Sequence, residues 1–355
     1  MLAGPGRAQL ASEPDPPLAD RQVRIATDYT GLSAGTELSW FKGTNPFVGR
    51  SFDRELGLFG DGRAQSPYPI TNVGYMESGR VVESRAPGLP VGTRVAAAYG
   101  HATGHVADPA TEHVVPLPPE LDPVLGVYVA HMGPICANGV LHAAADAVGG
   151  DVRSLADGVA GRRVLVAGAG VVGLLTGLLA VHHGAEEVVA VDATADRLSA
   201  AEALGMVALP DSRDVPLLLK RRWRHGPGDH GADVAFQCRG QAAALATALA
   251  AVRPQGTVID LAFYQAGADA VRLGEEFHHN GLTLRCAQVS RVPRGQAHLW
   301  DRARLSAETV RVLRTHGDAV REHVVTHLVP LADAPTLLAD LASRRRHVLQ
   351  AVFSA

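Results

Sequence analysis

The stretch Gly161-Arg-Arg-Val-Leu-Val-Ala-Gly-Ala-Gly-Val-Val-Gly173 constrains the fold of this chain more than any other. Residues 164–167 are a short apolar run rich in β-branched side chains, the pattern of a strand buried in a parallel sheet. Gly168, Gly170 and Gly173 then give G-x-G-x-x-G, and residues 174–181 continue as an apolar segment of helical length. In that setting Gly168 makes a tight turn, Gly170 lets a pyrophosphate approach the backbone, and Gly173 lets helix and strand pack closely. Val171 and Val172 open the helix, whose free N–H groups and positive dipole end suit phosphates. Residues 187–191 read as the next strand and end at Asp192, 19 residues after Gly173. A carboxylate there can accept hydrogen bonds from a ribose, so the stretch reads as a dinucleotide site.

Asp192 also bears on which dinucleotide binds. A carboxylate repels a ribose 2′-phosphate, so NAD(H) is expected rather than NADP(H). Arg197 lies five residues on; it either pairs with an adenosine phosphate or sits on a solvated helix face. FAD is disfavoured, because flavin enzymes of this type carry the fingerprint near their N-terminus.

At 355 residues the chain exceeds the size at which one core keeps growing, so two domains are expected. A net charge of −3 offers no electrostatic case for nucleic acid or an anionic membrane. No apolar run reaches the length of a membrane span, and the first residues lack a signal peptide's apolar core. Cys136, Cys238 and Cys286 are far apart with no C-x-x-C, which fits free thiols in a cytoplasmic protein.

Residues 1–20 offer one edge strand around residues 7–11, and residues 23–29 alternate as a half-buried strand should. Residues 31–37 read as turn material, and residues 45–69, rich in Gly and Pro without a period, as a long loop. Further strands are expected at 74–83, 93–98 and 113–118, so the first 130 or so residues read as a β-rich, barrel-like domain. Residues 124–147 read as a helix broken near Gly133 and Pro134. After the fingerprint, strands at 206–209, 234–237, 257–261 and 282–287 alternate with helices, the mark of a doubly wound parallel sheet. Helices at 304–315 and 331–345 and a strand at 348–353 close the chain. The expected domains are 1–137, 138–288 with the dinucleotide site, and 289–355 returning to the first.

A β-rich start, a central Rossmann domain and a C-terminal return resemble the medium-chain dehydrogenase/reductase superfamily over essentially the whole chain. The resemblance rests on the fingerprint, on Thr30-Gly-Leu-Ser-Ala-Gly-Thr-Glu37 and on Gly74-Tyr-Met-Glu-Ser-Gly-Arg-Val-Val82. It implies an α/β fold with a GroES-like catalytic domain, a small-molecule substrate and a homodimer. In zinc-dependent members the second and third pieces read like C-G-T-D and G-H-E-x-x-G-x-V. Ala34 stands in place of the cysteine ligand, Tyr75 in place of the histidine, and Pro134 at the third position, with Cys136 two residues beyond. The four-cysteine lobe of a structural zinc is absent. Ala has no donor atom and Tyr is a rare ligand, so no metal is expected. His101, His105 and His113, among 16 histidines, read as polar residues of a solvated loop rather than a replacement site. The pairing of S-A-G-T-E with G-Y is similar to the zinc-lacking bacteriochlorophyllide a dehydrogenase branch, from which Met76 departs where that branch has an acid.

Hydride transfer without a Lewis acid needs side chains to move the proton. By the resemblance, Thr36 hydrogen-bonds the reacting oxygen, and Asn138 contacts the nicotinamide side of the cofactor. Tyr75 either donates its phenol proton to the carbonyl oxygen or fills the vacated metal space. Glu37 orients these two, binds a polar substrate or pairs with a structural Arg, and His131 is either a further acid–base candidate or a satisfied core residue. Cys136 has no visible base partner and is not expected to act as a nucleophile. The expected activity is zinc-independent, NAD(H)-dependent interconversion of a secondary alcohol and a ketone on a medium-sized, specialised metabolite. An NADPH-dependent enoyl reductase and a non-catalytic dinucleotide sensor or scaffold are the rival readings.

Overall fold

The structure, a computed structural model, describes residues 1–61, 64–289 and 291–355 and divides into two units. Unit 1 comprises Met1–His131 and Val325–Ala355, and unit 2 comprises Met132–Val324. The divisions thus fall at 131/132 and 324/325, where the sequence suggested 137/138 and 288/289. Residues 289–324 lie with unit 2 because the helix Arg302–His323 packs on the helix Met132–Val148.

Unit 2 is built on the apolar strand Arg163–Ala167, of which Val164–Ala167 are buried. It lies inside a six-stranded sheet whose spatial order, numbering these strands along the chain, is 3-2-1-4-5-6. All pairings are parallel, and Val164 registers with Val188 on one side and Val234 on the other. This is the doubly wound order in which ligands bind outside the carboxyl ends of the strands, where the order reverses between strands 1 and 4. Helices Val171–His182, Ala195–Ala203, Val215–Arg222 and Ala242–Ala251 connect the strands. Leu165, Val189, Ala235, Leu245, Leu249 and Val258 belong to one buried cluster. The helix expected to break at Gly133 and Pro134 instead begins there. A 3-10 segment, Pro123–Tyr128, precedes it, and proline is tolerated in a first helical turn, where no backbone donor is needed.

Unit 1 is organised on a seven-stranded sheet. Its path runs Val325–Pro330, Gln350–Ser354, Val23–Gly31, Glu77–Ser84, Arg94–Ala97 and Val114–Pro116, and Gly104–Ala107 also pairs with Val23–Gly31. Val325–Pro330 and Gly104–Ala107 are strands the sequence did not announce. Two expectations are corrected here. Residues 34–42, read in part as turn material, form the helix Ala34–Lys42, ended by Gly43 at φ 74° with its N–H on the Ser39 and Trp40 carbonyls. Within the expected long loop, Arg50–Asp53 and Leu58–Asp61 pair as an antiparallel hairpin, with Phe52 opposite Phe59. Aromatic cross-strand packing stabilises that pairing despite the weak alternation. Among the described residues no helix is long and apolar enough to cross a membrane.

Candidate active site

In unit 2 the chain leaves strand Arg163–Ala167 through Gly168, whose φ of 101° lies in the region that disfavours side chains. A Cβ at Gly173 would stand 1.8 Å from the Gly168 carbonyl oxygen, so only glycine lets helix and strand approach this closely. Gly170 differs. Its φ of −75° suits any residue, and a Cβ there would meet nothing within 4 Å. Open space therefore faces the backbone at the start of helix Val171–His182, and no side chain caps that end. Val171 and Val172, half-buried, form its first turn. Unsatisfied N–H groups with free space before them can hold a pyrophosphate.

Asp192 ends strand Glu187–Asp192 and is 2 % exposed. Its Oδ2 accepts the Ala169 N–H at 2.9 Å and its Oδ1 the Thr194 N–H at 3.0 Å, which ties the glycine turn to the neighbouring strand. A carboxylate has about four acceptor positions, so capacity remains for ribose hydroxyls. Arg197, in the first turn of helix Ala195–Ala203, places its guanidinium 3.5 Å from Asp192 Oδ2. Asn138 is fully buried and donates its amide to the carbonyls of Gln288 (3.1 Å) and Arg291 (3.3 Å). The donor expected to meet a nicotinamide is thus committed to backbone, and Asn138 pins the segment after strand Thr283–Cys286. Cys136 is fully buried, and burial pushes its thiol up to about 12, which suppresses the nucleophilic thiolate.

In unit 1 the helix Ala34–Lys42 positions Thr36 and Glu37. Ser33 precedes its first residue, where a serine hydroxyl would ordinarily cap a backbone N–H. Ser33 makes no such bond, because its Oγ is hydrogen-bonded to the Tyr75 hydroxyl. Glu37 instead reaches back, its Oε1 accepting the Ser33 N–H at 2.7 Å. Its Oε2 lies 2.7 Å from His101 Nε2, and His101 Nδ1 lies 2.6 Å from Thr30 Oγ1. Glu37 is 1 % exposed, so this carboxylate serves the scaffold rather than solvent. The Tyr75 hydroxyl also donates to Thr36 Oγ1 at 3.5 Å, and the His131 ring lies against the Tyr75 ring with centroids 4.5 Å apart. Thr36, Tyr75, Glu37 and His131 therefore form one neighbourhood.

The histidine reading is corrected. His101 and His105 are not on a solvated loop: each meets a buried carboxylate, and His105 Nδ1 lies 3.2 Å from Glu77 Oε1, which also accepts from Thr27. Sequence reasoning missed Ser33 and misread His101. The signal for Ser33 was Ser-x-x-x-Glu ahead of an apolar run, close to a capping box. The pairing of His101 with Glu37 carried no signal, because the two lie 64 residues apart. At the three positions where the resemblance puts zinc ligands stand Ala34, the hydrogen-bonded Tyr75, and Pro134 in a helical first turn. Among the described residues no group of three or more His, Cys, Asp or Glu side chains is arranged to hold a metal ion.

Residues 171–303 match the family described as zinc-binding dehydrogenase. D-guloside 3-dehydrogenase of Escherichia coli (strain K12) is 28% identical over 345 residues, covering 94% of this chain and 93% of that protein. Galactitol-1-phosphate dehydrogenase from Escherichia coli superposes with a TM-score of 0.75 at 16% identity, over 100% of this chain and 99% of that one. A structure from Sinorhizobium meliloti 1021, named as a zinc-binding dehydrogenase and bound to NADP, gives 0.72 at 17% identity over 99% and 97%. The chain thus shares the fold of these dehydrogenases, and its residues 171–303 are similar in sequence to the zinc-binding dehydrogenase family.

Proposed function

We propose that this protein is an NAD(H)-dependent dehydrogenase that interconverts a secondary alcohol and a ketone without zinc, with a polyhydroxy compound as substrate. The observation that carries it is the hydroxyl cluster in which Ser33 and Thr36 meet Tyr75, the residue standing at one of the positions where the resemblance puts a metal ligand. Ala34 and Pro134 have no donor atom and the Tyr75 phenol is bonded to Ser33, so these residues do not fit a zinc ion. The relatives named for D-guloside and galactitol 1-phosphate support a polyhydroxy substrate. Gly168, Gly170, Val171, Val172 and Gly173 hold the pyrophosphate, and Asp192 accepts from the adenosine ribose. Bound there, the nicotinamide supplies hydride in reduction and takes it in oxidation.

The protein's own residues handle the proton. In reduction, the Tyr75 hydroxyl gives its proton to the substrate oxygen while Thr36 hydrogen-bonds that same oxygen; in oxidation, Tyr75 takes the proton back. His131 holds the Tyr75 ring by packing on it. The buried Asp192 carboxylate leaves a 2′-phosphate without a cationic seat, and Arg197 is already drawn to that carboxylate. We further propose a cytoplasmic homodimer paired through the edge strand Thr283–Cys286, which leaves Leu284 and Cys286 exposed.

The test is titration with NADH and NADPH by nicotinamide fluorescence, with metal content and mass in solution measured on the same sample. Tighter NADH binding, no stoichiometric zinc and a dimeric mass are expected. NADPH preference would turn the reading toward an enoyl reductase. One tightly held zinc per chain would overturn zinc independence.

A further inference from the structure

Ser33 gives up the role its position offers. It stands immediately before helix Ala34–Lys42 yet caps none of its N–H groups, and its hydroxyl is turned to Tyr75. Its backbone is held from the other side. Glu37 grips the Ser33 N–H with one carboxylate oxygen, His101 grips the other oxygen, and Thr30 fixes the far nitrogen of the imidazole. The His101 ring is itself confined, edge-on to Phe353 with centroids 5.0 Å apart and seated against Gly74. A Cβ at Gly74 would come 3.0 Å from His101 Nε2, so glycine there makes room for the ring. Four side chains thus immobilise a serine whose hydroxyl is hydrogen-bonded to the Tyr75 phenol. The other hydroxyl near Tyr75, Thr36 Oγ1 at 3.5 Å, is at the limit of a hydrogen bond.

We infer that Ser33 is the proton-relay residue behind Tyr75, and that Glu37, His101 and Thr30 are positioning residues that aim it. The inference rests on the reading that Tyr75 handles the substrate proton. In reduction, as the carbonyl carbon takes the hydride that a bound nicotinamide would supply, the Tyr75 O–H bond breaks and its proton goes to the carbonyl oxygen. The Ser33 hydroxyl proton then passes to the tyrosinate oxygen, and solvent reprotonates Ser33. Ketone, NADH and one proton become alcohol and NAD⁺. Within unit 1, the groups facing the phenol include the Ser33 and Thr36 hydroxyls and the His131 ring, with Glu37 and His101 behind Ser33.

The test follows Tyr75 ionisation by NMR of protein carrying ¹³Cζ-labelled tyrosine, with kcat measured against pH on the same variants. The chain has six tyrosines, and the resonance lost in Tyr75→Phe assigns the one of interest. Ser33→Ala is expected to raise the Tyr75 ionisation by about one pH unit, since tyrosinate loses a donor. It should also lower kcat about tenfold with KM unchanged and move the alkaline limb of the profile by the same amount. Ser33→Thr should restore both, and His101→Gln should shift the resonance in the same direction by less. An unchanged Tyr75 titration in Ser33→Ala overturns the inference, and so does a shifted titration with unchanged kcat. Full kcat in Tyr75→Phe fails a different claim, the acid–base role of Tyr75, whatever the NMR of Ser33→Ala shows.

Discussion

The two units build their candidate sites from different materials. In unit 2 the phosphate cradle is backbone: a left-handed turn at Gly168, open space at Gly170, and bare N–H groups at a helix start. In unit 1 the candidate acid–base cluster is built mainly from side chains, those of residues 30, 33, 36, 37, 75, 101 and 131. A backbone site demands glycine wherever a Cβ would intrude, so it writes a fixed spacing into the sequence. A side-chain site demands only that groups meet, and many residue types at many separations can meet.

That difference can be broken most sharply within the fingerprint itself. Gly173→Ala places a methyl against the Gly168 carbonyl, backbone that cannot swing aside, and is expected to cost about 3 kcal/mol with loss of NADH binding. Gly170→Ala has room and an ordinary φ, so its stability should stay within about 0.5 kcal/mol of the parent while NADH affinity falls, because the methyl fills the phosphate space. Thermal unfolding and fluorescence titration of both variants check the pair. Equal losses of stability would mean that the two glycines do not have separate roles.

The same contrast explains what could be read without coordinates. The doubly wound parallel sheet, the turn at Gly168 and the placing of Asp192 at a strand end follow from local spacing and apolar runs. Helix Ala34–Lys42 was hidden because Gly35 and Thr36 are poor helix formers, and its stability comes from Gly43 and from Glu37 reaching back to Ser33. His101 and His105 looked solvated because their carboxylates lie 64 and 28 residues away. Asn138 looked like a ligand contact because its amide partners, the carbonyls of Gln288 and Arg291, are 150 and 153 residues distant. Long-range pairing leaves no periodic trace.

A smaller effect is expected at Asp192. Asp192→Ala removes the repulsion toward a 2′-phosphate, frees Arg197 and deprives the Ala169 and Thr194 N–H groups of an acceptor. NADH affinity should fall and the NADH-over-NADPH ratio should narrow about tenfold. The titration that ranks the two cofactors for the parent measures it. An unchanged ratio would assign Asp192 to holding the turn alone.

The smallest expected effect lies in how each unit treats histidine. In unit 1, His101 and His105 meet carboxylates, and burial with Arg346 nearby lowers His327. In unit 2, burial lowers His142, His182 and His183, and Arg285 near His142 and Arg311 near the other two push the same way. Each of these three therefore binds its proton more weakly folded than unfolded. Between the unfolded imidazole value of about 6.5 and the lower folded values, the unfolded chain takes up more protons, so stability is lost as pH falls through that window. Acidification from about pH 7 to 5 should lower the unfolding temperature, and hydrogen exchange should show the loosening in unit 2. His142→Gln, whose amide can still donate to the Arg291 carbonyl that His142 Nε2 now meets at 3.1 Å, should flatten part of that decline. Loosening confined to unit 1 would take the acid-sensitive window away from these three histidines.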